Sequence, residues 1–509
     1  MNLIKSTGTF SFFTFISRIS GYIRDLLIAI FLGAGPIADA FFVAFRFPNT
    51  FRRLFSEGTF NSAFVPSYST ELNKGKNKAK IFAKNVFNIL LISLLIIVLI
   101  IEIFMPFFVS IIAPGFKEDA EKMELAIILT RITFPFLFLV SLSSFFSAIL
   151  NSHNKFAAAS AAPIILNIIL ILVLFFGKIL ADKLVYYISY AVTFAGLIQL
   201  IFLIFFVKKH FVPKISLKFN YNNKIKTFFN KLFPSIFSSG VTQINILVGT
   251  IIASFQSNAV SYLYYADRIY QINLAIAGIA IGTVLLPNLS KHVNKKNISK
   301  INLIQNKSIE LSLFLSLPAA AALLIAPNEI TSALFGYGSF DETSIKNTSL
   351  ALFYFAFGLP AFAFIKVFSS FLFARHNTKI PFYFSIISVL VNILISITFF
   401  KSIGFVIIPI ATTISSWINS CMLFFYLISK NYFYFNRNFF IKLFNILLVT
   451  TFSSFIFYKL IEYFSNFLIY ESNIKLLTII LLVIFTLVLY ISTSIVTKAF
   501  KTSDIKLKY

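Results

Sequence analysis

The chain has 509 residues, of which 58% are hydrophobic and 12% charged, with 44 Lys and Arg set against 18 Asp and Glu. So apolar a balance excludes an ordinary soluble domain. The basic excess would suggest nucleic acid in a soluble protein, but here it falls between long apolar runs, so no nucleic-acid partner is expected.

Runs long enough to cross about 30 Å of hydrocarbon lie near residues 7–32, 38–64, 85–112, 125–151, 157–177, 184–207 and 229–256. They continue near 262–290, 308–327, 349–374, 380–400, 404–429, 439–461 and 473–497. The pattern predicts an all-α polytopic membrane protein of about fourteen transmembrane helices, with both termini on one side. The start, "MNLIKSTGTFSFFTF", is followed by no small-residue cleavage site and reads as a retained first helix. Placing the termini in the cytoplasm puts 28 of the 44 Lys and Arg in inner loops and tails, eight in outer loops and eight within spans, as the positive-inside rule requires. Outer segments such as "GFKEDAEKMEL" and "FGYGSFDETS" are acidic or neutral. Many of the 68 Phe read as lipid-facing filler. Cys421 is the single cysteine, and His153, His210, His292 and His376 sit at or beside predicted loops without spaced partners, so no metal site or disulfide is expected.

An internal repeat organises these spans. "SSFFSAILNSHNKFAAASAAPIILNIILI" near residue 150 is similar to "SSFLFARHNTKIPFYFSIISVLVNILISI" near 370, with His153 and His376 separated by 223 positions. "AFVPSYS" and "VLLPNLS" match at nearly the same offset, Pro66 and Pro287 being 221 apart. Helices 1–6 and 7–12 are therefore expected to be related, parallel six-helix lobes, an arrangement typical of transporters. The expected domains are an N-lobe over 1–207, a basic cytoplasmic linker over 208–228, a C-lobe over 229–430, and helices 13 and 14 with a basic tail over 431–509.

Arginine at mid-helix costs roughly 2.5 to 3.5 kcal/mol on insertion scales, which makes the charged spans the place to look for function. "SRISGYIRDLLIAIFLGAG" carries Arg18, Arg24 and Asp25, the two arginines differing by about 240° around the helix and Asp25 standing seven residues from Arg18 as its candidate partner. The second span carries Asp39, Arg46, Arg52, Arg53 and Glu57, with Pro48 inviting a kink. Arg53 and Glu57 have the spacing of a helical ion pair, which leaves Arg52 as the better ligand for a substrate. "SYLYYADRIYQIN" places Asp267 and Arg268 side by side in the eighth span. Arg131 reads as snorkelling, and Arg46 and Lys366 carry no assignment from sequence. If Arg18, Arg24, Arg52 and Arg268 converge, their guanidinium forks suit a phosphate or pyrophosphate.

Over these same residues the sequence closely resembles a known family. "SRISGYIRD", "GAGPIADAFFVAFRFPNTFRRLFSEGTFNSAFVPSY", "APGF", "YYADRIYQ" and "GTVLLPNLS" are similar to the MurJ (MviN) family, the lipid II flippases of bacterial peptidoglycan synthesis. The resemblance runs through helices 1 to 12 and weakens in the last two. It implies the fold of the multidrug/oligosaccharidyl-lipid/polysaccharide exporter superfamily, with two lobes forming a V around a central cationic cavity and a groove at the last two helices for the lipid tail. It further implies that Arg18, Arg24, Arg52 and Arg268 are the cavity arginines, that Asp39 and Glu57 are functional acids, and that Asp267 stands beside the second-lobe arginine. Some members bind sodium in the second lobe. The seventh helix here has no carboxylate and Asn392 is followed by no acid, which counts against such a site.

The expected function is thus alternating-access export of lipid II across the bacterial inner membrane, the arginines holding its diphosphate, with no catalytic residue and no cofactor. An interior-negative potential supplies bias, at about 2.3 kcal/mol per charge per 100 mV, and a coupling ion acting through Asp39 stays open. Lipid II, membrane lipids and cell-wall synthesis proteins are the expected partners of a monomer. The alternatives are a flippase for another polyprenyl-linked glycan, a multidrug exporter of the same superfamily, and a polyprenyl-diphosphate transferase. The arginines disfavour a cationic drug, and the missing carboxylate cluster disfavours the transferase.

Overall fold

The computed structural model of the chain describes residues 3–55, 60–215, 223–274 and 280–500. These form helices and short connections, with no strand among the described residues. In chain order the helices are α1 (Leu3–Leu32), α2 (Pro36–Phe55), α3 (Asn61–Asn73), α4 (Lys76–Ile103), α5 (Met105–Ile112), α6 (Ala120–Thr133), α7 (Phe136–Ser152), α8 (Phe156–Phe175), the single turn α9 (Gly177–Leu180), α10 (Leu184–Val207) and α11 (Asn223–Ala253). There follow α12 (Ala259–Leu274), α13 (Ala280–Asn294), α14 (Ile298–Ile325), α15 (Pro327–Phe335), α16 (Glu342–Ala356), α17 (Leu359–Phe373), α18 (Lys379–Ile403), α19 (Ile407–Ser429), α20 (Arg437–Tyr463), the turn α21 (Ser465–Leu468) and α22 (Lys475–Val496).

Among the described residues, eight continuous helical stretches are long and apolar enough to cross a membrane, or nine when the pair α16 and α17, bent by 42°, is taken as one span. The fourteen predicted from hydropathy are not reached on this criterion, for two physical reasons. Lys379–Ser429 counts once, although α18 and α19 pack against each other across a short turn. The segments α1 and α2, which carry buried charges, are too polar to qualify on composition, and α12, 16 residues long, is too short. Pro48 lies inside α2, which continues on both sides of it from Pro36 to Phe55.

By packing, the chain divides into two compact units, Met1–Ser261 and Tyr262–Tyr509. In the first, Phe60, Phe64, Phe82, Phe145 and Phe228 form one aromatic core, Phe228 meeting Phe60, Phe64 and Phe82 edge-on at 5.8, 6.0 and 6.1 Å. Edge-to-face aromatic pairs of this kind add about 0.5 to 1.5 kcal/mol beyond burial. Phe228 belongs to α11, so this core groups α11 with the preceding helices. The Phe residues therefore serve two environments: these are buried, whereas Phe104, Phe107, Phe175 and Phe205 are exposed apolar surface.

At the lysine-rich end of the first unit the structure brings together groups that the sequence left apart. His153, just after α7, and His210, just after α10, stack with ring centroids 3.9 Å apart. The Tyr68 hydroxyl of α3 lies 3.2 Å from His153 Nε2. Two of the four histidines thus meet each other in the fold, a contact that their separation in sequence does not show.

In the second unit, Leu285, Phe368, Phe371, Leu423 and Phe439 share a core, and α20 and α22 are fastened to it. Lys442 of α20 pairs with Glu310 of α14 at 2.8 Å. Asn302 and Asn306 of α14 bind Asn436 and the Tyr434 carbonyl ahead of α20, and the Tyr490 hydroxyl of α22 donates to the Phe314 carbonyl at 2.9 Å. Buried Lys475, at the first turn of α22, donates to the Gly336 and Tyr470 carbonyls and lies over the rings of Tyr337 and Tyr470.

Burial, the neighbouring imidazole and Lys76 hold the His153 pKa below its ordinary value, and burial, Lys155, Lys209 and Lys76 do the same to His210. The unfolded chain then binds protons more readily than the folded one, so stability falls as pH drops through the ordinary imidazole value of about 6.5. The unfolding midpoint in detergent is therefore expected to fall between pH 7.5 and 5.5, and replacing both residues by Phe should flatten that slope; equal slopes would remove the pair from the acid response.

Candidate functional site

The first unit holds its arginines by protein partners. Arg24 and Asp25 are both buried, with side chains 7% and 3% exposed. Arg24 Nε and Nη2 donate to Asp25 Oδ1 at 2.9 and 2.6 Å, and Nη1 donates to Asn167 Oδ1 at 2.9 Å. Asn167, on α8, donates its amide in turn to the Ser17 carbonyl at 2.9 Å and to Ser20 Oγ at 3.1 Å. The Phe45 ring lies 5.4 Å from the guanidinium carbon. Isolated charges here would be costly, and the pair with its amide support lowers that cost. Three of the five guanidinium N–H donors engage these partners, which leaves two for an anionic ligand.

The sequence expectation paired Asp25 with Arg18 on the basis of helical spacing. The structure gives Asp25 to its chain neighbour Arg24 instead, because the long Arg24 side chain folds back along the helix to reach it. Arg18 is exposed on α1. Arg52 is half-buried and donates from Nε to Asn49 Oδ1 at 3.0 Å, one turn earlier on α2. Arg46, unassigned from sequence, donates to Thr250 Oγ1 of α11 at 2.6 Å and so ties α2 to α11. The side chain of Arg53 and the whole of Glu57 lie outside the described residues, and with them the predicted ion pair.

Asp39 is fully buried. Its Oδ2 receives Lys122 Nζ at 2.7 Å, and its Oδ1 receives the Ser261 backbone N–H at 2.8 Å and the Ser261 hydroxyl at 2.5 Å. Lys122 is 6% exposed and belongs to α6, within the "GFKEDAEKMEL" segment that reads from sequence as an outer loop. Neither Lys122 nor Asn167 was identifiable in advance, since the one looked like a solvated loop charge and the other like a polar lapse in an apolar run.

In the second unit Arg268 donates from Nη2 to the Tyr264 hydroxyl at 2.9 Å, its guanidinium 4.7 Å from that ring's centroid. Asp267 receives Gln271 Nε2 at 2.5 Å. Each of the two adjacent residues finds a partner one turn away on its own side of α12, as expected from their different directions. Lys366 and Arg131 are exposed. Asn392 lies between Thr412 and Ser396. Among the described residues, no group of three or more His, Cys, Asp or Glu gathers as a metal site would need.

Long apolar helices with paired arginines, acids and amides buried inside them define a polytopic membrane transporter. The family model for "Lipid II flippase MurJ" matches residues 28–479, and the chain belongs to that family. A "Probable lipid II flippase MurJ" of Rhizobium tropici is 40% identical over 430 residues, covering 83% of this chain and 80% of that protein. A solved structure, "Lipid II flippase MurJ, inward closed conformation", is 27% identical with a TM-score of 0.80, covering 96% of this chain and 98% of that one. An inward-facing multidrug resistance MATE family transporter of the MOP superfamily, 17% identical, covers 81% of this chain and 94% of its own with a TM-score of 0.67, and shares the fold.

If Asn167 positions Arg24, then Asn167→Leu should lower transport about tenfold at equal membrane abundance, since it leaves a buried charged donor without its acceptor. Asn167→Asp should be worse, because a second carboxylate competes with an anionic ligand for the same guanidinium. Flipping measured in a depleted strain tests both, and unchanged transport in both variants would exclude the positioning role.

Proposed function

We propose that this chain is a lipid II flippase that carries the diphosphate-linked peptidoglycan precursor from the inner to the outer leaflet of the bacterial inner membrane by alternating access. It acts as a transporter and not as an enzyme: no bond of the lipid is made or broken. The observation that carries the reading is Arg24, a buried guanidinium pre-oriented by Asp25 and Asn167, in a chain that belongs to the MurJ family over residues 28–479.

Arg18, Arg24, Arg52 and Arg268 bind the diphosphate. Its oxygens take up the guanidinium donors that Asp25 and Asn167 leave on Arg24, and charge-assisted bonds of this kind are roughly twice as strong as neutral ones. The ligand then makes one conformation more favourable by differential affinity, which is all that a ligand-driven change of access needs. The apolar face of α20, along Phe444, Leu447, Leu448, Thr451 and Phe452, offers a surface for the polyprenyl tail. Both termini lie in the cytoplasm, in keeping with the lysine-rich loops. The membrane potential returns the emptied cationic carrier, at about 2.3 kcal/mol per charge per 100 mV.

Rescue of peptidoglycan synthesis in cells depleted of their own flippase tests this reading. The wild type should restore growth and bring lipid II to the outer leaflet, whereas Arg24→Ala and Arg268→Ala at equal abundance should lose transport by a hundredfold or more, each removing a charged contact worth about 3 kcal/mol. Transport by both variants would overturn the arginine mechanism, and a well-expressed wild type that fails to rescue would point to another glycolipid.

A further inference from the structure

Each of the two units ends one pair of helices in the same way, 222 residues apart. α10 ends at Val207 and α19 at Ser429, and Phe211 and Phe433 just beyond them are both buried. After α7 the Lys155 N–H donates to the Leu150 carbonyl at 2.8 Å, with Asn154 at a φ of 59°. After α17 the Asn377 N–H donates to the Leu372 carbonyl at 3.0 Å, with His376 at a φ of 60°. His376 therefore corresponds to Asn154, one place from where the shared His-Asn dipeptide would set it. Arg375 then stands where the first unit has His153, and Tyr432 where it has His210. In the second unit the Arg375 guanidinium lies 4.6 Å from the Tyr432 ring centroid and donates to the Tyr432 and Phe371 carbonyls at 2.9 and 2.8 Å. In the first, the two imidazoles stack at 3.9 Å with 18° between their planes.

The same two positions thus join the same two helix ends, with different chemistry. A guanidinium is charged at every working pH and is attracted to the ring it covers, so the second unit's contact does not titrate. Imidazole changes charge near pH 6.5. Two neutral rings stack, and one imidazolium over a neutral ring is still a cation over a π face, but a second proton sets two like charges face to face. Lys76 at the start of α4, Lys155 ahead of α8 and Lys209 after α10 add to that repulsion. From α3 come the Tyr68 hydroxyl, 3.2 Å from His153 Nε2, and Glu71, which is paired with Lys74 at 2.9 Å. The stacked pair accordingly holds protons less readily than an open, solvated one. Its closed form is favoured in full above about pH 6.5 and loses that advantage as pH falls.

We propose that His153 and His210 form a proton-operated clamp, the acid-labile counterpart of the permanent Arg375–Tyr432 contact, so that acidification parts the ends of α7 and α10 while α17 and α19 stay joined. The turn at 153–155 leads directly into α8, whose Asn167 holds Arg24, so opening the clamp loosens the support of that guanidinium and slows transport. This last consequence rests on the reading of the chain as a flippase.

Amide hydrogen exchange of the full chain in nanodiscs at pH 7.5 and 5.5, corrected for the intrinsic rate, tests the clamp. In the wild type, protection of residues 153–155 and 208–211 should fall about tenfold, one proton's worth over one pH unit, while 375–377 and 430–433 should not change. His153→Arg with His210→Tyr transplants the second unit's pair and should hold protection at both pH values. His210→Lys, which sets a fixed charge against His153, should lower it already at pH 7.5. Equal loss in both units of the wild type, no loss in the first, or a transplant that still opens in acid would overturn the proposal. Flipping of labelled lipid II in proteoliposomes reads the consequence: it should slow in acid for the wild type and not for the transplant. Flipping that ignores pH while the clamp opens would separate the clamp from transport, and a wild type that flips no lipid II at either pH would count against the flippase reading alone.

Discussion

Holding an ionised group away from water is the constraint on which the rest of this structure depends. The effective penalty is several kcal/mol per ion unless the group is paired and its remaining donors are satisfied. Each buried cation described above meets it differently. Arg24 uses the carboxylate beside it and an amide from α8, Lys122 a carboxylate from α2, and Lys475 no carboxylate but two carbonyls and two tyrosine rings. Because partners on other helices are fixed in turn, these solutions are also the polar bonds between helices. Apolar contact alone gives little preference for one helix register over another in lipid, where the surroundings are as apolar as the side chains. The buried charges and amides supply that preference.

The same economy explains why the fastening of α20 and α22 is polar at three heights. The asparagine cluster on α14, the Lys442–Glu310 pair and the Tyr490 hydroxyl bond engage different levels of α14, and Lys475 adds a contact with the segment after α15. Two helices that add a lipid-facing surface are thus kept in one orientation on the second unit. The exposed apolar side chains of α20, such as Phe444, Leu447, Leu448 and Phe452, then face a consistent direction.

Much of this was legible in the sequence, because hydropathy and charge report directly on the solvent each segment meets. The long apolar runs gave the polytopic all-α class, and the motifs from Ser17 to Tyr68 gave the family. What stayed hidden depended on side-chain reach. Helical spacing suggested Arg18 for Asp25, but an arginine is long enough to fold back on its neighbour. Lys122 belonged by hydropathy to an outer loop, and only the packing of α6 against α2 buries it beside Asp39. His153 and His210 lie 57 positions apart and meet because α7 and α10 end at the same level. Asn167, set in an otherwise apolar helix, carries no local signal that its amide would support Arg24.

The pairing of Arg24 also bears on how the binding residue proposed above would have to be built in lipid. An unpaired guanidinium would bind a diphosphate more strongly, but the empty carrier would then hold an uncompensated charge at several kcal/mol. A full bidentate lock on both carboxylate oxygens would stabilise the empty state and leave the ligand little to gain. The observed geometry lies between the two: Nε and Nη2 converge on the single oxygen Oδ1 of Asp25, and Nη1 has only a neutral amide as acceptor. A neutral acceptor holds the fork in place while subtracting less charge than a second carboxylate would. The guanidinium is thereby kept oriented in the empty protein, and its net attraction for an anion is only partly spent. Under the proposed binding role, that balance is the one a carrier requires, since a site that binds its cargo too tightly on one side of the membrane would not release it on the other.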